Sequence, residues 1–111
     1  MGPGLLETVY EVALCRELRL RGIGVERQIS IPLNYKDEVL YKGEVLDCQM
    51  KLDLLVGKSV IVEVKSVERL IPVHRAQLLT YLRLPGLWLG LLINFNVELL
   101  RDGVRRVLNG W

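Results

Sequence analysis

The sequence predicts a single α/β domain over residues 1–111, an αβββαβ sandwich with a mixed central sheet flanked by helices. Three stretches support this prediction. A helix-periodic stretch covers 5–21, a hairpin of two apolar strands covers 51–66, and a second helix over 72–84 leads into an apolar strand. A chain of 111 residues buries one modest core, which fits a single domain.

The first predicted helix carries an acid on its apolar side. At about 100° per residue, Tyr10, Leu14 and Leu18 lie on one side of the helix, and Glu7 projects into the same sector. A carboxylate near a helix N-terminus has a structural explanation, because it interacts favourably with the helix dipole. The functional alternative is a carboxylate directed over the sheet toward the acids of the hairpin.

Two strands are predicted between this helix and the turn of the hairpin. Residues 25–35 form the first, in which Pro32 indicates an edge strand or a bulge. The second starts near Val39 and continues, bent at Gly43, into the segment that carries Asp53.

The hairpin places charged side chains inside strands that are otherwise apolar. On its second strand, alternation puts Val60, Val62 and Val64 on the core face. Glu63 and Lys65 take the opposite face together with Ile61. A buried carboxylate and ammonium are costly unless they are paired or bound to a metal. The pattern therefore predicts a buried ion pair, an edge strand with one wet face, or a metal site.

The first strand of the hairpin carries a third charged residue of interest, Asp53. Regular alternation puts Leu52, Leu54 and Val56 on the core face of this strand. Asp53 then lies on the other face, with Lys51 and Leu55.

The length of the hairpin loop decides whether Asp53 meets Glu63. A two-residue loop, Gly57-Lys58, puts the two acids on opposite faces of the sheet, because paired residues share a face. A three-residue loop that includes Ser59 pairs Val56 with Val60, and it brings Asp53 opposite Glu63. A shared acidic site therefore requires the three-residue loop or a bulge.

The remaining elements follow the hairpin. Pro72 suits the first turn of the second helix, on which His74, Gln77 and Tyr81 share a face. The stretch 87–95 is apolar on both faces, as expected of a central strand, and 104–108 forms a short final element.

Composition limits the class of protein. Half of the residues are apolar (50%), which predicts an apolar subunit interface and a homodimer. The start MGPGLLE lacks the basic region of a signal peptide, and no apolar run is long enough to span a membrane, so we expect a cytoplasmic protein without a membrane partner. Cys15 and Cys48 have no metal-site spacing, so we expect reduced, buried thiols.

Several motifs carry a family resemblance. Asp53 with Glu63-x-Lys65 resembles the core of the PD-(D/E)xK nuclease superfamily, and GLLETVY, ending at Tyr10, resembles the GxxExxY signature of a small prokaryotic family with that fold. The stretches QLLTYLRL and GLLINFN are similar to the same family, so the resemblance covers nearly the whole chain. Gln77-x-x-x-Tyr81 also resembles the helix motif of RecB-type nucleases. Members of the family carry a further helical segment ahead of GPGLLE, and here only Met1 precedes it.

The resemblance implies a restriction-endonuclease-like core and a divalent-metal-dependent phosphodiesterase that acts on nucleic acid through a metal-activated water. The implied ligands of Mg²⁺ or Mn²⁺ are Asp53, Glu63, the backbone carbonyl of Val64, and Glu7, which also counts among the catalytic residues. Lys65 would orient the water or stabilise charge. The implied substrate-positioning residues are Gln77, Tyr81, Lys51 and Tyr10. DNA is expected ahead of RNA as the nucleic acid.

Two alternatives belong to other functional classes. One is a binding or regulatory module that keeps the nuclease fold with little or no turnover. The other is a structural oligomer subunit, in which Glu63 and Lys65 form an ion pair at a dimer surface around Trp88 or Trp111. Metal binding by Asp53 and Glu63 separates the nuclease from both alternatives.

Overall fold

The described residues form two α-helices, a mixed five-stranded sheet and a separate two-stranded antiparallel sheet. The computed structural model describes the backbone of residues 3–32, 39–41, 44–46 and 49–110, and the side chains of 5–30 and 51–110. The elements in chain order are α1 (Pro3–Leu20), β1 (Val25–Pro32), β2 (Val39–Tyr41), β3 (Glu44–Leu46), β4 (Gln49–Val56), β5 (Val60–Lys65), α2 (Pro72–Arg83), β6 (Leu89–Asn94) and β7 (Val104–Leu108). Both predicted helices are confirmed to within two residues at each end.

The main sheet has five strands in the order β1-β4-β5-β6-β7. Strands β5 and β6 are parallel because α2 crosses between them, and the other neighbours are antiparallel. This confirms the predicted mixed sheet. The short final element is a fifth strand, β7, which pairs with β6 along one edge.

The prediction of one long second strand is wrong. Strands β2 and β3 form a separate antiparallel pair, and β4 begins only at Gln49. The predicted bend at Gly43 and the buried thiol of Cys48 lie outside the described residues.

One helix covers each face of the main sheet, so the core has two parts. The α1-side core contains Cys15, Val25, Leu54, Val62, Val64 and Ile93. The α2-side core contains Leu52, Ile61, Leu78, Leu82, Leu92 and Val107. Leu92 and Ile93 are neighbours on β6 but belong to different parts, which confirms that this strand is covered on both faces. Each fully buried leucine contributes on the order of 2 kcal/mol by leaving water.

Regular alternation holds along β5 but fails in β4. Val62 and Val64 lie in the α1-side core and Ile61 in the α2-side core, as predicted. In β4, however, Leu54 lies in the α1-side core while Leu52 lies in the α2-side core. The prediction that Leu52 and Leu54 share a face is therefore wrong, because the strand turns over at Asp53.

The neighbouring strand β1 turns over at the same level. Val25 lies in the α1-side core, whereas Ile29 packs against the α2-side core. Between them, Gln28 has a positive φ of 51°, which is uncommon for a residue with a side chain. The two strands keep one register through this point, with Arg27 opposite Leu54 and Ile29 opposite Leu52.

The hairpin between β4 and β5 has the three-residue loop that the shared acidic site requires. Val56 pairs with Val60, which leaves Gly57, Lys58 and Ser59 in the loop. Gly57 and Lys58 have positive φ values of 58° and 60°, and the Ser59 N–H donates to the Val56 carbonyl at 3.1 Å. Glycine suits this turn because it reaches positive φ without a steric cost.

Apolar side chains remain on the outer surface. The outward side of α1 carries Val9 and Leu20, which are 55% and 71% exposed, and Trp88 before β6 is 56% exposed. These surfaces are consistent with a subunit interface, and the homodimer stays a prediction. No helix among the described residues is long and apolar enough to cross a membrane.

Candidate metal-binding active site

Asp53 and Glu63 meet where the β4–β5 ladder opens. Main-chain pairing of the two strands runs from Val56 opposite Val60 to Leu54 opposite Val62. At the next level, the Val64 N–H donates to Asp53 Oδ2 at 2.8 Å, and the Asp53 N–H donates to Glu63 Oε1 at 3.2 Å. The Asp53 carboxylate thus accepts a backbone N–H from β5, and the Glu63 carboxylate accepts one from β4. In a regular ladder, main-chain carbonyls would accept these N–H groups. The three-residue loop and these two hydrogen bonds bring the acids together, which is the arrangement that a shared acidic site requires.

Glu63 has a strongly perturbed acidity. Its side chain is buried, with 5% of the residue exposed. Burial, with the nearby Asp53 carboxylate as the second cause, raises the pKa of Glu63 to about 8, against the opposing effect of the Lys65 ammonium. Near neutral pH, and without a bound cation, Glu63 holds a proton.

Lys65 lies two residues after Glu63 on β5, opposite Asn94 of β6. Its side chain is half-buried, and its charge is close enough to lower the pKa of Glu63. The ammonium is therefore placed beside the acidic pair, on the strand that the Glu-x-Lys spacing predicts.

Helix α2 brings Gln77 and Tyr81 to the same side. Gln77 Nε2 donates to Tyr81 Oη at 2.9 Å, which confirms that the two side chains share a helix face. Burial raises the pKa of Tyr81, and the Glu63 and Asp53 charges add to that rise. Electrostatic coupling to both acids places the phenol near the acidic pair.

Glu7 and Tyr10 contact residues at the carboxyl ends of the two parallel strands, β5 and β6. Glu7 Oε1 accepts the Ser66 N–H at 3.3 Å, one residue beyond the end of β5. The Tyr10 ring stacks on Phe95, with centroids 4.5 Å apart and an interplanar angle of 6°. Both contacts attach α1 to the loops after β5 and β6, so each residue has a structural role here.

Lys51 and His74 lie at the margin of the site. Lys51 is exposed, and its charge lowers the pKa of Glu11 on α1. His74 Nδ1 accepts the Ile71 N–H at 3.1 Å, so this histidine caps the start of α2. The cap gives His74 a structural explanation.

Two buried polar residues were missed by the sequence reasoning. Glu11 is 3% exposed, and both of its carboxylate oxygens accept from Gln28 Nε2, at 2.7 and 2.9 Å. Burial raises the pKa of Glu11, the Gln28 hydrogen bond lowers it, and the Asp53 charge raises it. The signal was present in the sequence, because at about 100° per residue Glu11 lies beside Leu18 on the buried side of α1.

The second missed residue is Asn94 at the end of β6, which is 3% exposed. Its Oδ1 accepts the Val67 N–H at 3.1 Å, and its Nδ2 donates to the Val67 carbonyl at 2.9 Å. The paired bonds fix the crossover loop that follows Lys65. An isolated asparagine at a strand end gives no such signal in the sequence.

The donor chemistry of the acidic pair fits a hard divalent cation. Mg²⁺ and Mn²⁺ prefer carboxylate oxygens, and one or two carboxylates commonly suffice for Mg²⁺ because it keeps several waters. Glu63 in particular is a buried carboxylate that a bound cation would keep ionised. Within the described part of the chain, no three His, Cys, Asp or Glu side chains come close enough to hold a metal ion, so Glu7 is not brought into a cluster with Asp53 and Glu63.

Comparison with known proteins identifies the family to which the chain belongs. A family model of the PD-(D/E)XK nuclease superfamily matches residues 1–107. The chain belongs to this superfamily. Membership accounts for the acid pair and the following lysine at the open end of a β-hairpin. It also agrees with the mixed five-stranded sheet between two helices.

A solved structure has a fold similar to that of this chain. The crystal structure of SSO0001 is similar with a TM-score of 0.70 and 16% sequence identity, over 100% of this chain and 54% of that one. At that identity the likeness shows the fold alone, and the chain spans about half the length of that protein. No curated protein matches the chain.

Proposed function

We propose that the protein is a Mg²⁺- or Mn²⁺-dependent phosphodiesterase that hydrolyses nucleic acid. The observation that carries this proposal is the end of the β4–β5 ladder. There, the Asp53 and Glu63 carboxylates each accept a backbone N–H of the other strand, beside Lys65. Buried carboxylates with a strongly raised pKa are typical of functional sites. Superfamily membership supports the same chemistry.

Asp53 and Glu63 would hold the cation, the Val64 carbonyl would add a further oxygen, and Glu7 would act through a water, since it does not cluster with the two acids. When bound, Mg²⁺ lowers the pKa of an attacking water and offsets charge that develops on the phosphate. Lys65 would orient that water or stabilise the same charge. The Gln77–Tyr81 pair would position the scissile phosphate, since its hydrogen bond fixes both side chains near the acids.

A cleft rich in arginine supports nucleic acid as the substrate. Two adjoining cavities of about 270 and 360 Å³ lie along β7 and share Leu70 and Arg105; the larger one lies between β7 and the start of α2. We call this surface the basic cleft, because its four arginines outnumber the two acids that also line it, Glu68 and Asp102; the arginines are Arg69, Arg75, Arg105 and Arg106. None of them forms an ion pair with a described carboxylate, since the ion pairs of the described residues involve Arg21 and Arg27.

The basic cleft lies to one side of the acidic pair, toward the β7 edge of the sheet. Strand β7 is two strands from β5 in the sheet, which corresponds to about 10 Å at the usual strand spacing. A nucleic-acid backbone that crosses Glu63 therefore reaches Arg105 within a few nucleotides. Phosphate contacts of this kind fix the register of the substrate without reading its sequence. DNA is our first choice of substrate, with Lys51 as a further backbone contact.

The deciding experiment combines cleavage with metal titration. The protein is incubated with single-stranded, duplex and branched DNA and with RNA, each with Mg²⁺ or Mn²⁺, and calorimetry follows metal binding. Asp53→Asn should lose metal affinity and cleavage together, because it removes a ligand charge without changing shape. Lys65→Ala should retain metal binding and lose cleavage by at least about a hundredfold.

The outcomes separate the alternatives. Metal binding without cleavage of any substrate would favour a binding or regulatory module. Absence of Mg²⁺ or Mn²⁺ binding would favour a structural subunit. Full activity in Lys65→Ala would show that the lysine serves the fold and that the proposed role is wrong.

A further inference from the structure

Glu11 is a buried carboxylate to which the proposed chemistry assigns no role. It lies one helical turn after Glu7 on α1 and is only 3% exposed. A buried charge requires partners, and here Gln28 Nε2 donates to both oxygens, at 2.7 and 2.9 Å. The Arg27 guanidinium is a weaker partner, because its Nε lies 3.5 Å from Glu11 Oε1 and makes no hydrogen bond. The main contact of Glu11 is therefore Gln28.

Gln28 is held in an unusual backbone conformation. Its φ of 51° falls in the left-handed region, which is disfavoured for residues with a side chain. Such conformations persist only where surrounding contacts fix them, and they are frequent at functional sites. The Gln28 side chain is itself held by its two hydrogen bonds to Glu11.

Gln28 lies directly across the β1–β4 ladder from Asp53. The register pairs Arg27 with Leu54 and Ile29 with Leu52, so Gln28 and Asp53 occupy the level between them. Both strands exchange faces at this level, as the core positions of Val25 and Ile29 and of Leu54 and Leu52 show. Without this turn, alternation would put Asp53 fully on one face of the sheet. With it, the carboxylate reaches the gap between β4 and β5 and accepts the Val64 amide at 2.8 Å.

We propose that Glu11 is a positioning residue for Asp53, which acts by holding Gln28 in the left-handed conformation that turns both strands over. The chain of contacts runs from the α1 carboxylate through the Gln28 side chain to the β1 backbone and across the ladder to Asp53. The positioning of Asp53 by Glu11 is independent of catalysis. Only the expected effect of Glu11 on metal affinity rests on the proposed function.

The test uses the Val64 amide as a reporter that needs neither metal nor substrate. Hydrogen exchange is measured by NMR on metal-free protein for Val64, with Leu92 as an internal reference for global stability. In Glu11→Ala, Val64 should exchange at least about tenfold faster relative to Leu92, because its acceptor moves away. Glu17→Ala is the matched control, since Glu17 is an exposed acid on the same helix, and its ion pair, at 2.9 Å, is with the exposed Arg21.

Metal affinity and a conservative variant complete the test. Glu11→Ala should weaken Mn²⁺ binding about 10- to 100-fold, as expected when support of a metal ligand is lost, and Glu17→Ala should not. Glu11→Gln keeps one oxygen that accepts from Gln28, so it should retain most of the Val64 protection. If Glu11→Ala fails to fold, Gln28→Ala carries the same expectation for Val64.

Three results would overturn the proposal. Val64 protection in Glu11→Ala could equal that in Glu17→Ala, so that Glu11 does not position Asp53. Glu11→Gln could be as impaired as Glu11→Ala, in which case charge rather than the hydrogen bond matters. Mn²⁺ affinity could stay unchanged while Val64 loses protection, which would show that the change of face at Gln28 and Asp53 does not serve the metal site. Absence of Mn²⁺ binding in the parent protein would instead contradict the proposed function and leave the Val64 result to decide the geometry.

Discussion

At the scale of single residues, the protonation of Glu63 links stability to pH. Its pKa is about 8 in the folded protein and near 4.5 in an unfolded chain. A raised pKa means that the folded state binds the proton more tightly, so this contribution is complete below about pH 4.5 and is lost as pH rises through about 8. Metal-free protein should therefore lose up to a few kcal/mol of stability over that range, at about 1.4 kcal/mol per pH unit at most.

Urea unfolding with a chelator present, at several pH values from 5 to 8.5, measures this loss. Glu63→Gln cannot ionise, so its stability should depend on pH much less than that of the parent, and the dependence that remains belongs to Glu11, whose pKa is also raised. Glu17→Gln is the control and should keep the slope of the parent, because Glu17 is exposed. Mg²⁺ should stabilise the parent more at pH 8 than at pH 6, since it competes with the proton for Glu63. A flat profile in the parent would show that Glu63 ionises normally.

At the scale of secondary-structure elements, the contact between α2 and β6 sets the position of Gln77 and Tyr81. A Cβ added at Gly90 would lie 2.9 Å from three carbons of Leu78, a fully buried residue of α2. Gly90→Ala should force the helix outward and destabilise the fold by about 1–3 kcal/mol. Cleavage should fall further than stability explains, because the Gln77–Tyr81 pair moves with the helix.

Gly24→Ala is the matched control, because a Cβ there meets nothing within 4 Å. Urea unfolding and cleavage rates measured under conditions where each variant is folded separate the two effects. Equal stability and activity for the Gly90 and Gly24 variants would show that α2 adapts without moving its polar face.

The elements that the sequence predicted well are those with a strong local pattern. Both helices and the hairpin follow from apolar periodicity, and β6 follows from a continuous apolar run. The sequence left the length of the hairpin loop open, and that length decides the register at Asp53. The turn-over of β1 and β4 could not be predicted, because it depends on Gln28 adopting a positive φ against its local preference. That conformation is stabilised by Glu11, seventeen residues away in the chain, and a tertiary contact of this kind leaves no local signal.

At the scale of the whole molecule, the distribution of charge says more than its sum. The net charge of +2 gives no indication of a partner. The arginines of the basic cleft have no carboxylate ion-pair partner among the described residues. On the α1 side, Arg21 and Arg27 are paired with acids. Arg16 and Arg19 on that side have no such partner among the described residues, so the absence of acid partners does not by itself separate the two surfaces. Register does separate them, because Arg105 and Glu63 both pair with Leu92, and it predicts that nucleic acid binds across the β7 edge.

Salt dependence tests this placement separately from cleavage. Binding of a fluorescent duplex is measured between 50 and 250 mM salt, roughly the range where counterion release is resolved, with Asp53→Asn as the background that prevents hydrolysis. Adding Arg75→Ala and Arg105→Ala should weaken binding and lower the slope of log K against log salt by about two, roughly one for each lost phosphate contact. Arg21→Ala in the same background is the control and should change neither quantity, because Arg21 directly follows α1 and forms an exposed ion pair with Glu17. An unchanged slope in the Arg75 and Arg105 variant would place the nucleic acid elsewhere on the molecule.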